Sequence, residues 1–123
     1  MKKKVKILIV EDDKTADLLL TVVLQEFADE LLHAVNGIDA VNICRNNPDI
    51  DFLVMDVKMP EMDGYEAARQ IRLFNKNVII IAQTAYVVLG EKERALRSGC
   101  NDFLPKPIRI ADLMTLLDTY LQI

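Results

Sequence analysis

Three uninterrupted apolar runs divide the chain: Ile7-Leu8-Ile9-Val10, Phe52-Leu53-Val54-Met55 and Val78-Ile79-Ile80-Ile81-Ala82. Strand-length runs rich in β-branched residues, without in-and-out alternation, suit parallel strands buried on both faces. Leu31 to Val35 and Asp102 to Leu104 are shorter or more polar and read as outer strands. Helical patterns lie between them. Ala16, Leu19, Leu20, Val23, Leu24 and Phe27 recur at three- and four-residue spacing, as do Ile110, Leu113, Met114, Leu117 and Leu121. Ile38 to Asn46 and Gly64 to Phe74 supply two more helices, entered through Asn36-Gly37 and Asp63-Gly64. From Glu91 to Ser98 only Ala95 and Leu96 are apolar, so this helix, closed by Gly99 as a C-cap, is predicted to pack loosely. Strand–helix repeats joined by right-handed crossovers predict an α/β fold, a doubly wound parallel sheet with helices on both faces.

Composition narrows the class. The 123 residues, 51% hydrophobic and 28% charged, suit a single domain with a real core and exclude a disordered chain. A net charge of -4 works against a protein that neutralises many nucleic-acid phosphates. No apolar run approaches a membrane span, and the Lys2-Lys3-Lys4 start, with no cleavage site behind it, reads as a solvated arm. Cys44 and Cys100 form no CxxC pair and have no histidine beside them, which removes zinc and redox motifs and leaves two small buried hydrophobes. A reducing, cytoplasmic setting is expected. His33, on an outer strand without a ligand partner, reads as an ordinary strand residue, and Met55, Met59 and Met62 as packing.

Candidate chemistry gathers at the strand ends. Ligands of open parallel sheets bind outside the carboxyl ends of the strands. Just past or at those ends stand Glu11-Asp12-Asp13, Asp56, Thr84-Ala85 and Lys106-Pro107. Packed carboxylates repel and call for a cation, and an all-oxygen set suits Mg²⁺. A cation there makes the pocket receptive to a phosphoryl group, with one carboxylate as nucleophile and a lysine and a hydroxyl to neutralise the phosphoryl oxygens. Asp56, ending a central buried strand, is the best-held nucleophile. Asp13 reads as a helix N-cap or a first-turn acid favoured by the helix dipole.

These pieces resemble the receiver domains of two-component response regulators. The resemblance rests on Ile-Leu-Ile-Val-Glu11-Asp12-Asp13, Val54-Met55-Asp56-Val57-Lys58-Met59-Pro60-Glu61-Met62-Asp63-Gly64, Ala82-Gln83-Thr84-Ala85 and Phe103-Leu104-Pro105-Lys106-Pro107, in the family's order and spacing. It implies a flavodoxin-like sheet in the order 2-1-3-4-5 and one receiver domain over 1–123, with no output domain. It also implies Asp56 as phosphoacceptor for a phosphohistidine on a histidine kinase or histidine phosphotransfer protein, and Mg²⁺ held by Asp12, Asp56, the Lys58 carbonyl and, through water, Glu11. Thr84 and Lys106 would bind the phosphoryl oxygens, and the Lys106–Pro107 bond would be cis. Thr84 and Phe103 would form the switch, with the polar fourth helix, fifth strand and fifth helix as the responding surface and the site of any weak dimer. Such a domain acts as an enzyme only toward itself.

Departures from the family carry further expectations. Glu11 replaces the commoner aspartate, and Phe103 lacks a tyrosine hydroxyl, so switching would rest on packing. Tyr86 and Lys58 could shield the acyl phosphate from water, so slow self-dephosphorylation is expected; a half-life of seconds that Tyr86→Ala leaves unchanged would overturn this. The stretches around Gln83 and Cys100 look like receivers at the C-terminus of hybrid sensor kinases, whereas the start at Met1 suits a stand-alone regulator. Three rivals stand beside this reading. A scaffold that never accepts phosphate would not need the intact acidic set, a flavin protein would not place acids in its phosphate loop, and an Asp-x-Asp phosphatase would not carry Lys58 where its second aspartate belongs.

Overall fold

The computed structural model describes residues 4–85 and 89–122. Strands and helices alternate along them as β1 (Lys6–Val10), α1 (Lys14–Leu24), β2 (Glu30–Ala34), α2 (Gly37–Asn46), β3 (Phe52–Asp56), α3 (Gly64–Arg72), β4 (Ile79–Thr84), α4 (Glu91–Arg97), β5 (Asp102–Pro105) and α5 (Ile110–Leu121). The sheet is parallel throughout, in the order β2-β1-β3-β4-β5. Neighbouring residues of a strand point to opposite faces, and the core divides accordingly. Leu8, Val10, Leu53, Met55, Ile80 and Ala82 meet α2, α3 and the single alanine of α4, Ala95. Ile7, Ile9, Phe52, Val54, Ile81 and Leu104 meet α1 and α5 through Leu20, Leu24, Leu113 and Leu117. Each large side chain fully buried this way contributes roughly 1.5–3 kcal/mol.

Boundaries moved where backbone pairing outweighed side-chain character. β4 does not stop with its apolar run; Gln83 and Thr84 stay in the strand because β3 and β5 flank them, with Asp56 opposite Gln83 and Pro105 opposite Thr84. β2 begins and ends one residue earlier than its apolar pattern, paired to β1 from Glu30 to Ala34. α1 closes at Leu24, whose carbonyl accepts from both Phe27 and Ala28 N–H groups. Phe27 still packs on the core from the turn beyond. α3 likewise ends at Arg72, two residues before Phe74, as the N–H groups of Leu73 and Phe74 turn to the Gln70 and Ile71 carbonyls.

The expectation that α4 packs loosely needs correcting. Its apolar anchor is small, but Glu91 and Ser98 are also buried, and α3 holds both ends. The Tyr65 hydroxyl donates to Glu91, the Arg94 guanidinium lies 4.7 Å over the Tyr65 ring, and Arg69 Nη1 donates to Ser98 Oγ at 3.2 Å. Polar ties replace the missing apolar face. The quieter expectations hold: Cys44 and Cys100 are free and buried, with burial pushing both thiols up to about 12. His33 is an exposed strand residue 2.9 Å from Asp17 Oδ1. Met55 and Met59 lie in the core and Met62 packs against it.

Candidate functional site

Strand register brings the polar residues to one edge. Glu11 follows β1, Asp56 ends β3, Thr84 ends β4 and Lys106 follows β5, and the pairings of Val10 with Met55, Asp56 with Gln83 and Thr84 with Pro105 align those ends. Glu11 and Asp56 are buried, whereas Asp12 is exposed beside them; each brings a carboxylate oxygen within 4.8 Å of the others. Lys106 Nζ lies 3.2 Å from Asp56 Oδ2 and 3.4 Å from Glu11 Oε2. The Lys58 N–H donates to Asp56 Oδ1 at 3.3 Å, and the Asp13 N–H to Glu11 Oε1 at 3.2 Å. The Lys106–Pro107 bond is cis, and the Lys106 N–H donates to the Thr84 carbonyl at 2.7 Å.

Local sequence explains this placement. Asp13 caps α1, its carboxylate accepting from Ala16 N–H at 3.0 Å, so the chain leaves β1 through a tight acidic turn. Asp63 caps α3 in the same way, accepting from Glu66 N–H at 2.9 Å. Gly64 lets that helix start directly against the strand end: a Cβ there would lie 2.6 Å from the Asp56 carbonyl oxygen. Thr84 is buried, while exposed Lys58 lines a 360 Å³ cleft with Thr84, Glu91 and Arg94. Phe103 is half-buried and packs against the α2–α3 side of the core. Tyr86 lies outside the described residues.

Burial and mutual repulsion of the carboxylates set the protonation of the cluster. Burial pushes Glu11 up to about 7, the Asp56 charge adds to this, and the Asp13 N–H and Lys106 pull the other way. Burial alone would lower Lys106, but the Asp56 and Glu11 carboxylates outweigh it and raise the ammonium. Burial and the Asp56 charge therefore favour the protonated form of Glu11 in the folded protein between roughly pH 4.5, where an unfolded glutamate loses its proton, and about 7. Stability from this group is therefore fully present below that window and falls as pH rises through it. In EDTA the urea midpoint of the wild type should decline across this range more than that of Glu11→Gln. Matching profiles would remove this account.

Two connections were not foreseen from the sequence. Gln83 is buried, and its Nε2 donates to Glu11 Oε2 at 3.1 Å. Its signal was an uncharged polar residue directly after the apolar run that ends at Ala82. The other connection is the Tyr65–Glu91 bond, for which the sequence carries no signal, since the partners lie 26 residues apart.

Comparison with known proteins decides the family. The model of the response regulator receiver domain matches residues 7–118. The chain belongs to this family. The receiver is 35% identical over 122 residues to hybrid signal transduction histidine kinase B of Dictyostelium discoideum, a match that covers 89% of this chain and 6% of that protein. In structure it is similar to the complex of the Saccharomyces cerevisiae histidine phosphotransfer protein Ypd1 with the receiver domain of Ssk1, with TM-score 0.88 and 34% identity over 98% of this chain and 90% of that one. It is also similar to the receiver domain of sensor histidine kinase PA1611 of Pseudomonas aeruginosa, with TM-score 0.85 and 32% identity over 98% and 100% of the two chains. That structure holds a magnesium ion in its active-site cleft. The donor set here fits the same ion: the three acids offer hard oxygens, and exposed Asp12 leaves room for water. No helix of the described residues is long and apolar enough to cross a membrane.

Proposed function

We propose that this receiver domain is a phosphoacceptor switch of a two-component or phosphorelay system, phosphorylated on Asp56 by a phosphohistidine of a histidine kinase or histidine phosphotransfer protein. One observation carries the reading: a buried carboxylate at the end of a central strand, with one oxygen on a backbone N–H, the other on an ammonium, and two further acids within reach. Glu11, Asp12, Asp56 and the Lys58 carbonyl would hold Mg²⁺. When bound, it offsets the negative charge that otherwise repels an incoming phosphoryl group.

Asp56 is held at both carboxylate oxygens, by the Lys58 N–H and by Lys106. An Asp56 oxygen forms the new O–P bond as the P–N bond to the donor imidazole breaks; the electron pair stays on that nitrogen, which takes up a proton. Lys106, already 3.2 Å from Asp56 Oδ2, follows the charge onto the phosphoryl oxygens, joined by the Thr84 hydroxyl. Phe103 moves inward as Thr84 shifts, and α4, β5 and α5 change the surface they present. The phosphate biases this equilibrium only by interacting better with the shifted state. Self-phosphorylation and self-dephosphorylation are the domain's only catalysis, and Lys58 and Tyr86 slow the second.

Partner docking is assigned to the α1 side of the site. Leu18, Leu19 and Val22 are exposed there, beside an apolar groove that Leu19, Pro107 and Ile108 line next to Lys106. A histidine-bearing helix laid on α1 would reach the Asp56 end of the sheet. The domain is read as one unit over 1–123, cytoplasmic, monomeric or weakly dimeric through α4, β5 and α5, and without direct nucleic-acid contact. Acetyl phosphate with Mg²⁺ should add one phosphoryl group by intact mass, and EDTA should prevent it. An unchanged mass, both there and with a phosphorylated histidine phosphotransfer protein, would overturn the reading.

A further inference from the structure

Gln83 sits at the end of the apolar run of β4, wholly buried, one residue before Thr84. Its amide is half used: Nε2 donates to Glu11 Oε2 at 3.1 Å, and Oε1 has no hydrogen-bond donor among the described residues. A buried unpaired acceptor is costly, and a leucine in this apolar setting would avoid it. The donor half must therefore be read for what it does to Glu11. Glutamate is one methylene longer than aspartate and has more rotamers to lose. Its Oε1 is fixed by the Asp13 N–H, and its Oε2 is shared by Gln83 and Lys106. Lys106 is 25% exposed and also binds Asp56, so it is drawn to the phosphoryl group once that arrives. Gln83 is neutral and locked in the sheet, and its bond to Glu11 does not depend on where Lys106 goes.

We propose that Gln83 is a positioning residue: its amide N–H sets the Glu11 carboxylate in the orientation that serves the cation beside Asp12 and Asp56. It touches no reacting atom and acts only through Glu11. The proposal rests on the reading that the acidic cluster holds Mg²⁺. A short acid at position 11 would not reach the amide, which makes the length of Glu11 and the presence of Gln83 one joint feature.

A double-mutant cycle on the full chain tests this, with Mg²⁺ affinity read by titration calorimetry. Gln83→Leu should weaken Mg²⁺ binding about tenfold, as loss of a residue that orients a ligand commonly does. In the Glu11→Asp background the same change should cost less than about twofold, because the shorter carboxylate has already lost the amide. Unfolding in EDTA should not be easier for Gln83→Leu, since the unpaired acceptor leaves with the donor. If that variant does not fold, Gln83→Met, an unbranched chain of the same length, replaces it. Losses that differ by less than about threefold between the two backgrounds overturn the proposal and leave Gln83 as packing. A wild type that binds no Mg²⁺ overturns the cation reading itself and takes this inference with it, an outcome distinct from equal binding by wild type and variant.

Discussion

The Asp56→Asn protein should gain no phosphoryl group from acetyl phosphate or from a phosphohistidine donor, under conditions where the wild type gains one per chain. An amide has no anionic oxygen to attack phosphorus, so the expected loss is complete by intact mass. Its stability should move the other way. Asp56 is one of the causes that raise Glu11, and the two carboxylates share Lys106. Neutralising one leaves a single carboxylate facing one ammonium. At neutral pH and without cation, the variant should match the wild type or exceed it by about 1 kcal/mol, small because a lost ion pair offsets the lost repulsion. Mg²⁺ should then add less to its stability than to that of the wild type. A phosphoryl group retained by the variant would move the acceptor to another residue, and a markedly lower urea midpoint would remove the repulsion account.

Gly64→Ala should be the most damaging single methyl near the site. The added Cβ meets the Asp56 carbonyl oxygen at 2.6 Å and Val57 Cα at 2.9 Å, both backbone atoms at the end of a central strand. Neither can yield without shifting β3 or lifting α3, whose start is pinned by the Gly64 N–H to the Val57 carbonyl at 2.8 Å. Overpacking of this kind costs about 3 kcal/mol, or about 10 °C in melting temperature for a chain of this size. Because the strain falls on the Asp56 backbone, phosphorylation should slow even at temperatures where the variant is folded. Gly37→Ala provides the comparison. Its Cβ would also meet a carbonyl at 2.6 Å, but that of Met62, in the loop before α3, which has more freedom to move. Calorimetric melts should therefore show the larger drop for Gly64→Ala; equal drops would mean that the strand end is softer than its pairing suggests.

How much could be read in advance differs from element to element for physical reasons. Ile7-Leu8-Ile9-Val10 and Phe52-Leu53-Val54-Met55 were legible because a strand covered on both faces must be apolar at every position. The gathering of the acids, Thr84 and Lys106 at one edge was legible because parallel strands all point their carboxyl ends the same way, so distance along the chain does not separate them in space. Asp13, Asn36 and Asp63 were legible as turn or cap residues, and each accepts a hydrogen bond from the first turn of its helix. The end of β4 was not. Gln83 and Thr84 look like the start of a loop until their neighbours on β3 and β5 are known. The hold on α4 was not legible either, because an amphipathic pattern records apolar burial only and Glu91 is buried against Tyr65.

By itself, then, the sequence determined the alternation of strands and helices, the double coverage of the central strands and the set of polar residues at their carboxyl ends. These follow from local pattern and from the handedness of the chain. Only the tertiary structure decided which groups share a proton or a hydrogen bond: that Lys106 bridges Asp56 and Glu11, that Gln83 anchors Glu11 across 72 residues of chain, and that α3 ties down a helix almost without apolar residues. Such contacts depend on ångström-scale register and on the depth at which each group is buried, and neither is encoded in the spacing of residues along the chain.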